Sequence, residues 1–188
     1  GYLYLGVGAI TDRGESLNPD SEPFAELDER EASILRVHPY TGETEVFASG
    51  IRKPYDLTFT SDGRAFATDN GLLTGPGDRL LAIETGGHHG WPFWRGRGCP
   101  DCPPARAQVD TVPDLLTFPS YTLPRGLTAY QGDQFPARMA DTLLVTLWNS
   151  GEGGQRVIWL DPADPGLQVT PDPEQGIPAY VPQPFVTG

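Results

Sequence analysis

The residues able to do chemistry lie mostly between Gly50 and Cys102. Arg52 follows Gly50-Ile51, and its guanidinium could grip a carboxylate in bidentate fashion or close a salt bridge at a sheet edge. Asp69, Asn70 and Asp78 bracket a loop with three glycines. Asp69 and Asn70 could line a metal site or cap the loop by Asx-type bonding. Asp78 could orient that loop or pair with Arg79 or another surface charge. Cys99-Pro100-Asp101-Cys102 begins ten residues after His89. In an exported protein such a pair could staple a loop as a disulfide. With His88 and His89 it could instead bind zinc. No βαβ context suggests a redox pair. His38 precedes a turn proline and reads as structural. There is no nucleophile elbow, phosphate-binding glycine loop or H-E-x-x-H.

The elements that must position these groups are short. Tyr55–Thr60, Arg64–Asp69 and Asp78–Glu84 have strand length, and Ser61-Asp62-Gly63 is a tight-turn signal. Gly86-Gly87 ends the third run with a sharp turn. Residues 2–8, Ser33–Val37 and Thr44–Ala48 read as strands before this meander. Gly126–Tyr130, Thr142–Leu147 and Arg156–Asp161 read as strands after it, and 178–184 as extended. Residues 95–124 read as one long proline-rich loop, a length that favours a functional or family-specific insertion. Trp91 is expected to pack between sheets. The acidic stretch 11–32 lacks a D-x-D-x-D-G calcium pattern and reads as a solvated insertion.

A chain of 188 residues can hold one domain with a real core. Its 23 Gly and 20 Pro punctuate apolar runs without forming tracts, which fits many short strands joined by turns. Glu26–Ile34 is the best helix candidate, and it is short. The fold class is all-β. A net charge of −12 argues against a nucleic-acid partner. No segment approaches the ~20 apolar residues of a membrane span. Gly1 begins in a strand and Gly188 stops in mid-motif, so a fragment of a longer chain is expected.

The strand runs repeat. Lys53-Pro54-Tyr55-Asp56-Leu57-Thr58-Phe59 is echoed by Leu123-Pro124-Arg125-Gly126-Leu127-Thr128-Ala129, with Pro54 and Pro124 70 residues apart. Arg64–Thr68 is echoed by Thr142–Thr146, and Asp78–Ile83 by Gln155–Leu160. Val46–Gly50 is echoed by Pro184–Gly188. Repeated four-stranded antiparallel units are the mark of a β-propeller. The expected organisation is a partial blade with an acidic insertion over 1–49, a blade with the Pro/Cys loop over 50–118 and a blade over 119–188. That makes about two and a half to three blades.

Against this background Gly50-Ile51-Arg52-Lys53-Pro54-Tyr55-Asp56-Leu57 resembles the G-x-R-N-P-x-G-L element of the soluble sugar dehydrogenases that use pyrroloquinoline quinone (PQQ). Gly86-Gly87-His88-His89-Gly90-Trp91-Pro92 resembles their G-G-N-Y-G-W-P. Pro124-Arg125-Gly126-Leu127, the run through Tyr130–Pro136, and Leu144–Asn149 are similar to the sorbosone dehydrogenase-like branch.

The resemblance implies a six-bladed propeller with PQQ over the central channel and Ca²⁺ polarising the quinone. A sugar is the substrate, and the location is periplasmic or extracellular. Arg52 matches the cofactor-facing Arg, and Lys53 replaces the adjacent Asn. Gly71 matches a calcium-ligating carbonyl, and Leu72 stands where glucose enzymes have Pro. Asn149 falls at or near a cofactor-binding Lys. Ala9 stands where glucose enzymes have an Asp supporting the catalytic His, which would itself precede Gly1. The alternative is a non-catalytic binding propeller of the same fold. A calcium-dependent lactonase-like hydrolase would need a different acidic cluster on the axis.

Overall fold

The computed structural model describes residues 1–18, 20–21, 28–71, 77–92, 110–119, 121–149, 155–168 and 183–187. Among them the regular structure is β-strand with two short 3₁₀ turns, Ala137–Met139 and Pro165–Gln168. The strands are β1 (Leu3–Val7), β2 (Ser33–Val37), β3 (Thr44–Ser49), β4 (Pro54–Phe59), β5 (Ala65–Asp69), β6 (Arg79–Ile83), β7 (Leu116–Thr117), β8 (Pro124–Ala129), β9 (Leu143–Leu147), β10 (Arg156–Leu160) and β11 (Gln183–Thr187). They form three antiparallel sheets, ordered β1-β2-β3, β4-β5-β6-β7 and β8-β9-β10-β11. These are propeller blades, one of three strands and two of four. The echoed runs occupy equal places: β4 and β8 come first, β5 and β9 second, β6 and β10 third.

The packing follows from side-chain alternation along each strand. The middle blade is covered on both faces, and every residue of β5 is buried. Phe66 and Leu80 face the third blade, in a cluster with Leu127, Leu143, Val145 and Ile158. Ala65, Ala67, Leu81 and Ile83 face the first blade, against Ile34, Phe47 and Ile51. β4 and β8 lie side by side as the first strands of their sheets. The outward N–H groups of β8 are answered by β4 side chains: Leu127 N–H donates to Asp56 Oδ2 at 2.7 Å and Ala129 N–H to Thr58 Oγ1 at 3.0 Å. Those bonds satisfy two β8 amides from the neighbouring blade.

Two expectations need correction. The helix candidate Glu26–Ile34 does not form one where it is described. Residues 29–32 are turns, and Ser33 and Ile34 open β2. Pairing of β2 with strands on both sides outweighs a weak local preference. The span 95–124 is not a continuous loop. Leu116–Thr117 pairs with Leu80 and Arg79 as the fourth strand of its blade. Two residues flanked by Pro113 and Pro119 are too short to show a period-2 pattern.

Candidate functional site

The chain entering β4, the chain leaving β5 and the chain entering β6 meet at one end of the middle blade. Gly50 makes the approach possible. It has φ +73°, and a Cβ there would meet Gly90 N at 2.7 Å. Trp91 N–H donates to the Gly50 carbonyl at 2.9 Å. The Trp91 indole is buried and donates to the Asp12 carbonyl at 3.1 Å, so it packs between the first two blades as expected.

Arg79 is the buried post of this end. Its Nε donates to Asp69 Oδ2 at 3.0 Å, and its Nη2 to the same oxygen and to the Gly50 carbonyl at 3.2 Å. Its Nη1 reaches the His89 carbonyl at 2.5 Å and Asp114 at 3.2 Å. Burial works against its charge, but Asp69 and Asp114 outweigh that and raise its pKa. Burial in turn pushes the Asp114 carboxyl up, with Arg79 opposing. Asp69 spends its other oxygen on the Lys53 N–H at 2.6 Å. Asp69 is therefore a structural partner with both oxygens in use. Arg79 pairs with Asp69 and Asp114, not with its neighbour Asp78.

Asp78 instead takes the loop-orienting role. Its Oδ1 accepts the Gly71 N–H and its Oδ2 the Leu123 N–H of the next blade, each at 2.7 Å. Burial raises its pKa, while the Leu123 and Gly71 amides pull it down. The Gly71 carbonyl is held from the other side. Arg52 Nη1 donates to it at 2.9 Å and to the Asn70 carbonyl at 3.0 Å. Arg52 Nη2 pairs with Asp12, a residue of the acidic insertion that no sequence pattern singles out. That insertion is thus not merely solvated.

Of the expected site residues, Arg52 and Gly71 touch each other. Lys53 is exposed beside them. Asn149 lies on the neighbouring blade just past β9. Its Nδ2 donates to the Tyr121 carbonyl at 2.5 Å and its N–H to the Thr122 carbonyl at 3.4 Å. Leu72, Cys99 and Cys102 lie outside the described residues. Among the described residues no group of three or more His, Cys, Asp or Glu could hold a metal.

Besides the two ring nitrogens of His89, the buried atoms without partners at this blade end include Arg52 Nε, a donor, and Asn70 Oδ1, an acceptor. Buried polar atoms are normally satisfied, so each is a demand for something. An anion bearing carboxylates would answer the first, and an oxygen-seeking cation the second. A carboxylated quinone with calcium fits both requirements.

Comparison with known proteins supplies the lineage. The sequence matches the family described as Glucose / Sorbosone dehydrogenase over residues 1–152. Among solved structures it is similar to the PQQ-bound form of an aldose sugar dehydrogenase from Streptomyces coelicolor. That match has 22% identity and TM-score 0.56, and covers 100% of this chain and 46% of the other. A soluble aldose sugar dehydrogenase from Escherichia coli in the apo-form matches at 17% identity and TM-score 0.59, covering 85% and 47%. A calcium structure of a Trichoderma reesei carbohydrate-active enzyme of family AA12 matches at 14% and 0.63, covering 100% and 55%. These structural likenesses show the propeller fold, and the chain spans about half the length of the structures it matches. No helix among the described residues is long and apolar enough to cross a membrane. With residues 1–152 matched, and Arg52, Gly71 and Trp91 set around one blade end, this chain belongs to the glucose/sorbosone dehydrogenase family.

Proposed function

We propose that this chain carries part of the cofactor cradle of a sugar dehydrogenase that oxidises an aldose or sorbosone-type sugar with PQQ and Ca²⁺. The observation that carries the reading is the Gly71 peptide held at both ends, with Asp78 on its N–H and Arg52 on its carbonyl. Beside it lie the unsatisfied Arg52 Nε and Asn70 Oδ1. Bound there, PQQ with its calcium would supply the two-electron acceptor for the sugar's hydride.

The chain's own residues bind and orient. Arg52 and Lys53 present positive charge to carboxylates. Asn70 Oδ1 and the Gly71 carbonyl are the oxygen donors for a cation, and Leu72 is the further carbonyl the resemblance implies. Asp78 and the Asp69–Arg79 pair hold the backbone that carries these donors, which is the positioning a cofactor site needs.

None of the chain's three histidines is offered as the proton acceptor. His38 lies in the turn after β2, at the opposite end of its blade, and accepts the Thr41 N–H. His88 Nδ1 accepts the Gly90 N–H at 3.0 Å, and His89 is wholly buried. The base is assigned to the rest of the enzyme.

The test is reconstitution of the complete protein with PQQ and Ca²⁺, followed by dye reduction with a panel of aldoses. Sugar-dependent reduction supports the reading, and its absence with every aldose sinks it. One observation favours a non-catalytic propeller instead. Asn149, at or near the position of the Lys the resemblance implies, is neutral, and its amide is spent on Tyr121. That reading predicts no quinone uptake.

A further inference from the structure

Arg125 is a cation that the fold has positioned without giving it an acceptor. It lies in the opening of β8, where the ladder with β9 slips between Pro124 and Leu127. Tyr55 lies in the matching slip of β4, between Pro54 and Asp56. Such bulges turn side chains away from the regular alternation and are enriched beside functional sites. The Arg125 guanidinium carbon sits 4.2 Å from the centre of the Trp148 ring and 5.2 Å from that of Tyr55. Both distances are within cation–π range, and the two rings restrict the guanidinium's freedom.

The backbone of Arg125 is pinned as well. Its carbonyl accepts the Thr68 hydroxyl at 3.1 Å. Yet among the described residues its side chain forms no ion pair and no hydrogen bond, and its Nε is buried without a partner. Arg52, by contrast, has its terminal nitrogens committed to Asp12, Asn70 and Gly71. The rings beside Arg125 are open: Trp148 is 60% exposed and Tyr55 50%. An exposed indole that carries an oriented guanidinium over its ring is a built surface for one kind of ligand.

We propose that Arg125, Trp148 and Tyr55 form a binding site for a carboxylate carried on a ring, the ring lying on Trp148 and the carboxylate taking Arg125. An acidic sugar such as a uronate has both parts, and so does a carboxylated quinone. The chain's net charge of −12 makes unspecific anion binding unfavourable, so affinity for an anion must arise locally. The site stands at the same end of the blades as Lys53 and Asn149. Its part in sugar oxidation rests on the function proposed above, whereas its binding does not.

The experiment is isothermal titration of the complete protein, free of quinone, with glucuronate, glucose and acetate, repeated on Arg125→Gln and Trp148→Leu. Loss of one charge-assisted bidentate contact corresponds to about tenfold or more in affinity. Glucuronate is expected to bind at least about tenfold tighter than either control. Arg125→Gln should erase its lead over glucose, and Trp148→Leu its lead over acetate. A parallel PQQ titration separates the sources. If only PQQ uptake falls in Arg125→Gln, the carboxylate is the cofactor's and the site stands. Equal binding of all three ligands together with unchanged PQQ uptake in Arg125→Gln, or an unchanged glucuronate preference and unchanged PQQ uptake in that variant, overturns the proposal. Melting curves for both variants, whose side chains are not in the core, verify folding. These binding results are independent of dye reduction, so failure of the dehydrogenase reading and failure of this site are told apart.

Discussion

Arg52 Nη1 donates to the carbonyl of Gly71 at 2.9 Å across the gap between the chain entering β4 and the chain leaving β5. The expected anion anchor and the expected cation ligand are thus joined directly. Arg52 shapes the carbonyl group as well as offering charge. Arg52→Lys keeps the charge but cannot span Asn70, Gly71 and Asp12 at once. PQQ uptake by the complete protein should weaken about tenfold or more in this variant, and melting should fall modestly. A quinone titration followed by absorbance measures the first, and a thermal melt the second. Unchanged uptake would remove Arg52 from the cradle.

Asp78 serves two amides in different blades, Gly71 N–H and Leu123 N–H. Asn has one carbonyl oxygen, so Asp78→Asn must turn its NH₂ toward one of these donors. A part-buried N–H is then left without its acceptor, at a cost of about 1 kcal/mol. Urea unfolding should show a lower midpoint with an unchanged slope. Full stability in Asp78→Asn would mean that the two amides find other acceptors.

How much of this was legible in the sequence depends on the range of the interaction. The blades were legible because Pro54 and Pro124 open equivalent strands and the apolar runs repeat after them. Turns such as Gly63, at φ +86°, announce themselves locally. β7 was not legible, since a two-residue strand exists only because Leu80 and Arg79 offer it a ladder. Asp12 was hidden for a similar reason. It looks like any acidic loop residue until the fold brings it to Arg52, forty positions away. Sequence leaves Asp78 either orienting the loop or pairing with Arg79 or another surface charge, and strand alternation decides it by pointing Arg79 to Asp69 and Asp114.

The Asp69–Arg79 pair offers a sharper stability test. Both side chains are almost wholly buried. Asp69→Ala leaves Arg79 with Asp114 as its remaining carboxylate and the Lys53 N–H without its acceptor, and breaking such a buried, hydrogen-bonded pair costs up to about 3–5 kcal/mol. Asp69→Ala should therefore destabilise far more than truncation of an exposed, solvent-screened pair such as Arg36–Glu45. Denaturant melts of Asp69→Ala and Glu45→Ala side by side make the comparison. Equal effects would refute the view of Arg79 as the post of this blade end.

His89 sets an acid limit on the same region. It is 0% exposed, and neither ring nitrogen has a hydrogen-bond partner. Burial, with Arg79 and His88 adding repulsion, pushes its pKa down to about 3. An unfolded His titrates near 6.5, so between roughly pH 6.5 and 3 the unfolded chain binds a proton that the folded chain refuses. Stability is therefore retained above pH 6.5 and declines as pH falls through this window, by up to about 1.4 kcal/mol per unit. His88 acts in the same direction, its pKa lowered by burial and by Arg79. Asp78 and Asp114 act oppositely: their raised pKa values mean that the folded state takes up protons sooner as the pH drops. Substituting His89 by Phe isolates its share. Phe fills similar space and removes the two unpartnered nitrogens, so the variant should be no less stable at pH 7.5. Its midpoint should fall less steeply between pH 6.5 and 4, as measured by urea unfolding at half-unit steps. A wild-type acid slope in the variant would mean that other groups, not His89, set the limit.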